Sequence, residues 1–306
     1  ANGETTTEAT ETRTAEAKGG FIRATTADGN TSGDDTQFAA VISVNGGTVT
    51  LENGIIDGNN NVRGILVEKN GAVIMKNGAV INGKALLSSG GQYGCGIYVR
   101  NGRLDMTGGI VAENNKDTGA WYDEYRRGGG IALRDGSLDI SGGVIASNRA
   151  GVGGGIFAGG GSGSIAIRDN AVIANNQTNY SWGGGVSVDG NYTTTIQNGA
   201  LITGNVAKNS GGGVSSIGGA KLEVQKGAMI TGNEAHTGGG INSSNDFTMT
   251  GGIIAGNIAR GNTGGDTNGD GEGGGIRVGG GNGLGVGCGC VICTGVRTVS
   301  VVVSIV

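Results

Sequence analysis

The stretch Gly128-Gly-Gly-Ile-Ala-Leu-Arg-Asp-Gly-Ser-Leu-Asp-Ile-Ser-Gly-Gly-Val-Ile-Ala-Ser-Asn148 decides the architecture. Ile131 and Leu133 alternate with Ala132, and Leu138 and Ile140 alternate with Asp139. That is the period of two of a strand with one buried face. Each run is a few residues long. The runs end at Gly136 and at Gly142-Gly143, where a change of direction needs positive φ or close backbone approach.

The pattern recurs along the chain. Aligned on the first Ile or Val, the copies start at Ile42, Ile65, Ile97, Ile131, Ile156, Val186, Val214, Ile241 and Ile276, with steps of 23 to 35 residues. A unit this short cannot bury its apolar face alone and must stack on its neighbours. A leucine-rich repeat needs a helical half, and no segment has a period of 3.6. A propeller blade needs four strands and roughly 40 residues. The expectation is all-β: a single-stranded parallel β-helix of about nine rungs, three short strands per rung, ~43 Å long at ~4.8 Å per rung. Ile131, Leu133, Leu138, Ile140 and Ile145 point inward.

Composition agrees. Glycine makes up 70 of 306 residues with no Gly-X-Y period, which excludes collagen. Proline is absent, as suits a chain whose segments all belong to ladders. Aromatics are only 4 %, so the core is thin and aliphatic. The net charge of −4 and the lack of a basic patch argue against nucleic acid, and no apolar run is long enough for a transmembrane segment. No charged n-region precedes an apolar h-region, so a signal peptide is either absent or already removed; the start at Ala1 without Met suits a processed export product and equally a truncated chain.

A second anchor follows an Ile or Val by three: Asn59, Asn114, Asn148, Asn176, Asn205, Asn233 and Asn257. Stacked at one corner, their amides can bond one another along the axis as a structural ladder. Near Ile81 the ladder breaks, with Lys84 in place of Asn. The spacer from the Asn to the next glycine run varies in length, so insertions project from one edge, where function is expected.

Gly-Gly-Gly-Ile/Val, as at Gly183–Val186 and Gly238–Ile241, and Ile/Val-x-x-Asn, as at Ile202–Asn205 and Ile230–Asn233, resemble the repeats of polymorphic outer-membrane-protein, autotransporter-like surface adhesins. Those repeats carry Gly-Gly-Ala-Ile/Leu/Val and Phe-x-x-Asn. The resemblance covers roughly residues 37 to 286 and implies a right-handed parallel β-helix displayed outside a cell for adhesion or assembly. Here aliphatic residues replace the Phe, and no membrane barrel follows the repeats.

Candidate sites lie on the spacers. The loop from Asn115 to Arg127 carries Trp121, Tyr122, Tyr125, Arg126 and Arg127, and the corresponding corner two rungs on carries Tyr180 and Trp182. Aromatic rings beside charges suit a protein partner or sugar stacking; a loop covering apolar flank residues is the plainer alternative. Asp105, Asp139 and Glu223 share one outward position, interrupted by Ala166, Thr195 and Thr248; a solvated face explains them more simply than a catalytic pair. Asp266, Asn268, Asp270 and Glu272 match the first half of a calcium loop, but Arg277 stands where the bidentate Glu belongs. Calcium is thus the one cofactor to consider, against an unliganded turn. His236, the only histidine, suggests no metal or triad role. Cys95 is too far from Cys288, Cys290 and Cys293 to pair with them and reads as a small buried hydrophobe; the three later cysteines permit one disulfide, a partial metal site or free thiols.

Residues 1–18 form a Thr/Glu-rich arm, 19–286 the coil, and 287–306 a cysteine cluster and a bare strand with Val299, Val301, Val303 and Ile305. An uncovered apolar strand either caps its own last rung or adds to a neighbour; a reading-frame change near residue 286 would also produce the abrupt shift. The functional expectation is a non-catalytic, secreted or cell-surface structural protein or adhesin, assembling head-to-tail with itself, with a surface glycan or host protein as a further partner. The alternative is a carbohydrate-active β-helix enzyme.

Overall fold

A computed structural model describes residues 20–23, 40–84, 92–115, 126–261, 273–279 and 284–286. Among them there is no helix, and every strand pairing is parallel. The chain winds as a β-solenoid with three flanks. The first runs from Ala40–Asn45 to Ile276–Val278, the second from Thr48–Leu51 to Leu284–Val286, and the third from Phe21–Arg23 to Ile253–Ala255. On two rungs the first and second flanks are one ten-residue strand, Ile97–Met106 and Ile131–Ile140.

All nine anchor residues stack in one column of the first flank, Ile42 opposite Ile65 and onward to Ile276. Register is strict because a slip of one residue would turn every buried side chain outward. Ile131, Leu133, Leu138, Ile140 and Ile145 are at most 1 % exposed, each such burial contributing roughly 1.5–3 kcal/mol. The core column is aliphatic, joined by Tyr192 and Phe247. Tyr192 lies beside Gly163, and its hydroxyl accepts the Asp135 N–H at 2.9 Å. Burial pushes its phenol up to about 12.

The two sequence motifs meet at one corner. The first glycine of each triplet, at Gly128, Gly153, Gly183, Gly211 and Gly238, has φ between +58 and +74°, open to glycine without penalty. The third, at Gly130, Gly155, Gly185, Gly213 and Gly240, clears space for the ladder: an added Cβ would lie 2.8–3.0 Å from the Nδ2 of that rung's Asn and 2.4–2.7 Å from a carbonyl of the next rung.

Asn114, Asn148, Asn176, Asn205, Asn233 and Asn257 form that ladder, each at most 1 % exposed. Each of the first five donates both its backbone N–H and its Nδ2 to the Oδ1 of the next, at 2.8–3.1 Å. Each Nδ2 also reaches a carbonyl one rung back, as Asn205 does to Ile173 at 2.9 Å. Asn59 stands apart: its φ is +52° and its N–H goes to Asp57 Oδ1. The register pairs Ile56 with Val80 and Val80 with Val111, so Gly83, not Lys84, takes the vacant place in the ladder. Gly83 donates its N–H to Asn114 Oδ1 at 2.8 Å. From Asn82 onward the residue before each ladder position is left-handed, with φ from +52 to +63° at Asn82, Glu113, Ser147, Asn175, Gly204, Gly232 and Gly256.

A fourth, two-residue strand follows the Asn on five rungs: Arg149–Ala150, Gln177–Thr178, Val206–Ala207, Glu234–Ala235 and Ile258–Ala259. The sequence pattern points to three strands per rung. The extra one forms because small inward residues, Ala150, Thr178, Ala207 and Ala235, let the corner backbone close up and pair. Cys95 takes the middle place of its triplet and is 1 % exposed. The 1–18 arm and all of 287–306, with Cys288, Cys290 and Cys293 and the strand residues Val299, Val301, Val303 and Ile305, lie outside the described residues.

Candidate functional site

The fourth strands turn the spacer edge into a built surface. Their alternation puts Gln177, Val206, Glu234 and Ile258 outward, with small residues inward. Two residues past these paired positions stand Asn179, Lys208, His236 and Arg260 on successive rungs. Between the two columns runs a groove of about 610 Å³. Its floor is held by hydrogen bonds: Thr178 Oγ1 donates to the Ser181 carbonyl of the same corner at 3.1 Å, and Asn209 Nδ2 crosses to the Tyr180 carbonyl of the preceding rung at 3.1 Å. Arg260 Nε pairs with Glu234 Oε1. His236 Nε2 is buried and finds no hydrogen-bond partner among the described residues, an arrangement that costs about 1–3 kcal/mol until a partner arrives.

Tyr180 and Trp182, 53 % and 39 % exposed, follow Asn179 in the chain at this corner. The other residues of the sequence-derived partner loop divide. Trp121, Tyr122 and Tyr125 lie outside the described residues. Arg126 and Arg127, expected on display, turn back onto the coil. Arg126 is 3 % exposed and donates to Asn115 Oδ1 at 2.6 Å. Arg127 lies 5.5 Å from the ring centroids of both Tyr93 and Phe157 and donates to the Tyr93 hydroxyl at 3.0 Å. Arg63 extends the same stack over Tyr98, and burial lowers its guanidinium to about 10. Aromatic faces accept cations where water is excluded, so these arginines help close the flank, the plainer of the two readings of this loop.

The acidic column is in register, Asp105 opposite Asp139, with Glu223 further along. Asp105 pairs with Arg103 at 3.0 Å, and Asp139 with Arg168 at 2.9 Å. Burial pushes Asp105 up, Arg103 pulls it down, and Asp139 adds to the rise. Arg168 is held above its ordinary value by its hydrogen bonds to Asp139 and Asp169. Among the described residues no three His, Cys, Asp or Glu side chains gather as a metal site. The calcium-loop residues Asp266, Asn268, Asp270 and Glu272 lie outside them. No helix among the described residues is long and apolar enough to cross a membrane.

The groove was not read from the sequence, because spacers of unequal length hide its register. Counting three residues on from each ladder Asn recovers it: Asn179, Lys208, His236 and Arg260. A second surface also escaped notice. The first residues of the third-flank strands form an outward column, Phe21, Ile55, Ala79, Ile110, Val144, Val172, Leu201, Met229 and Ile253, apolar at every rung.

Compared with known proteins, the chain matches no family model, and no curated protein or solved structure is significantly similar to it.

Proposed function

We propose that this solenoid is a non-catalytic structural or adhesive element, secreted or held at a cell surface, which associates laterally with a second copy of itself. The observation that carries the reading is the outward apolar column of the third flank. Phe21, Ile55, Ile110, Met229 and Ile253 in it are 36–55 % exposed. Beside it runs a column of mostly small residues, Ala112, Ala146, Ala174, Thr203, Thr231 and Ala255. From Ile55 and Ile81 to Ile253 and Ala255 neither column carries a charge.

A bulky column beside a small one is self-complementary. Two copies related by a two-fold axis place each bulky column in the other's furrow, the isologous arrangement, with the sheets about 10 Å apart. Nine strands of three residues present a face of roughly 38 by 10 Å, about 400 Å² per copy against about 800 Å² in a standard stable interface. Pairing is therefore weak in dilute solution and gains from crowding on a surface.

Two further points support the reading. The Gly-Gly-Gly-Ile/Val and Ile/Val-x-x-Asn motifs resemble those of surface-displayed adhesin repeats. Asp105 and Asp139 are each engaged by an arginine rather than facing a shared cleft, which favours a structural role over glycan cleavage. End-to-end addition through Val299, Val301, Val303 and Ile305 is a separate route to assembly.

Sedimentation velocity over a concentration series tests the lateral contact. The parent chain is expected to show a reversible monomer–dimer equilibrium that Ile110→Lys with Met229→Lys abolishes and deletion of residues 296–306 leaves intact. A parent that stays monomeric at the highest soluble concentration, or a double variant that pairs as well as the parent, defeats the proposal.

A further inference from the structure

We propose that the corner groove binds a linear anionic glycan, whose carboxylate or sulfate groups are held by Lys208, His236 and Arg260. The proposal rests on the groove, not on lateral association, and either can fail without the other.

The first argument is register. Lys208, His236 and Arg260 follow the fourth-strand pairs Val206–Glu234 and Glu234–Ile258 by the same two residues, so three basic side chains occupy one outward place on consecutive rungs. Rungs are ~4.8 Å apart, so the charges of Lys208 and Arg260 lie about 10 Å apart along the axis, with the imidazole of His236 between them. In a chain of net charge −4, this column is a local reversal of sign. Glu234 answers only part of it: it pairs with Arg260 Nε, and a guanidinium has further N–H donors to offer. An oxyanion laid across the column is attracted by both charges and accepts from those donors.

The second argument is the orphaned nitrogen. His236 Nε2 is buried in a residue that lines the groove and lacks a hydrogen-bond partner among the described residues. The His236 side chain as a whole is half-buried, so a rotation of the imidazole brings this nitrogen to the groove, where a ligand hydroxyl or oxyanion completes it.

The third argument selects a glycan over a nucleic acid. The groove spans four rungs, roughly 14 Å, and among the described residues no Phe, Tyr or Trp lines it, so successive bases would have no row of stacking platforms. Its other polar lining includes the side-chain amides of Asn179 and Asn209, which both donate and accept and so suit sugar hydroxyls. Periodic basic groups along a straight axis fit a polymer whose anionic groups also repeat.

The test is titration calorimetry on the full chain at low and moderate salt. The probes are oligogalacturonate for carboxylate, sulfated dextran oligosaccharide for sulfate, neutral dextran, and a single-stranded oligonucleotide of equal charge. Binding of one or both anionic glycans, weakened by salt and absent for neutral dextran, is expected; whichever binds names the oxyanion. Lys208→Gln with Arg260→Gln should weaken binding at least tenfold, and His236→Ala severalfold, with unchanged circular dichroism; melting should be unchanged in the first and no lower than the parent's in the second. Lys208 and Arg260 are exposed, so these changes leave the coil intact. Lys221→Gln with Lys226→Gln, both exposed and away from this corner, serves as a charge-matched control and should bind as the parent does. Failure of both anionic glycans to bind, equal loss in the control, or oligonucleotide binding as tight as glycan binding overturns the proposal.

Discussion

Replacing Asn205 with Leu should cost about 2–5 kcal/mol, several times a surface change of the same kind. Asn205 Oδ1 accepts two donors from the rung before, the Asn176 N–H at 2.9 Å and Asn176 Nδ2 at 3.0 Å. Its Nδ2 donates to the Ile173 carbonyl and to Asn233 Oδ1, both at 2.9 Å. Leucine removes all four. Asn176 Nδ2 keeps the Ile145 carbonyl, and Asn233 Oδ1 keeps the Asn205 N–H. The Asn176 N–H is left without its acceptor in a site sealed from water, which costs about 1–3 kcal/mol, while the Ile173 carbonyl loses the amide but keeps its place in the parallel ladder beside Thr203. The branched side chain must also fit beside Gly185, where even an added Cβ would come within 3.0 Å of the Asn205 amide. Asn205→Asp is the sharper companion. It keeps an acceptor for Asn176 but sets a buried carboxylate against Asn233 Oδ1 and the Ile173 carbonyl, so it should be at least as damaging at neutral pH and milder in acid, where the carboxyl becomes a donor. Urea denaturation gives the global cost, and native-state hydrogen exchange gives the local one through the Asn176 amide. Asn191→Leu, on the exposed second flank, is the control. Equal urea midpoints for the Asn205 and Asn191 variants, or an Asn176 amide as protected as in the parent, would refute the ladder argument.

Two further outcomes follow from the corners. Ser147 is exposed, with φ +56°. Relief of left-handed strain of about 1–2 kcal/mol, less the unfolded-state entropy of glycine of about 0.4–1 kcal/mol, makes Ser147→Gly neutral to stabilising by about 1 kcal/mol, read as a rise in urea midpoint; a clear fall would contradict it. Asp57 is 1 % exposed; burial works to raise its carboxyl, but the Asn59 N–H, Arg23 and Asn82 outweigh it and hold the group below the ordinary carboxylate range. A depressed folded value means that the unfolded chain binds the proton first as pH falls. Its contribution is therefore complete above about pH 4 and is lost on acidification through the lowered value; Asp57→Asn should flatten the stability profile in that window, and an unchanged acid limb would contradict this.

What the sequence made legible is what stacking constrains. The inward residues, the glycine triplets and the ladder asparagines must recur at every rung because each touches its own copy above and below. A recurring letter therefore marks a place in the coil. The misplacements occur where that pressure relaxes. Asn59 keeps the letter, yet at its rung Asp57 takes the N–H, and the neighbouring rung has Gly83 at the ladder position. Arg126 and Arg127 look like display residues by composition. Only the positions of Asn115, Tyr93 and Phe157, distant in sequence, show that they are used internally.

The same logic locates function. A strand of period two needs only one apolar residue in each adjacent pair, so Val144-Ile145, Val172-Ile173 and Met229-Ile230 each carry one that the core does not require. Ile145, Ile173 and Ile230 are fully buried, while Val144, Val172 and Met229 face outward. An outward apolar residue repeated at every rung is not explained by folding. Nor is a basic residue recurring three places past Asn205, Asn233 and Asn257, where solvation alone would accept any polar side chain. In a solenoid each rung position is either forced by its neighbours or free. The informative residues are those that stay the same although they are free, and here they trace two surfaces, one apolar on the third flank and one basic at the corner beside it.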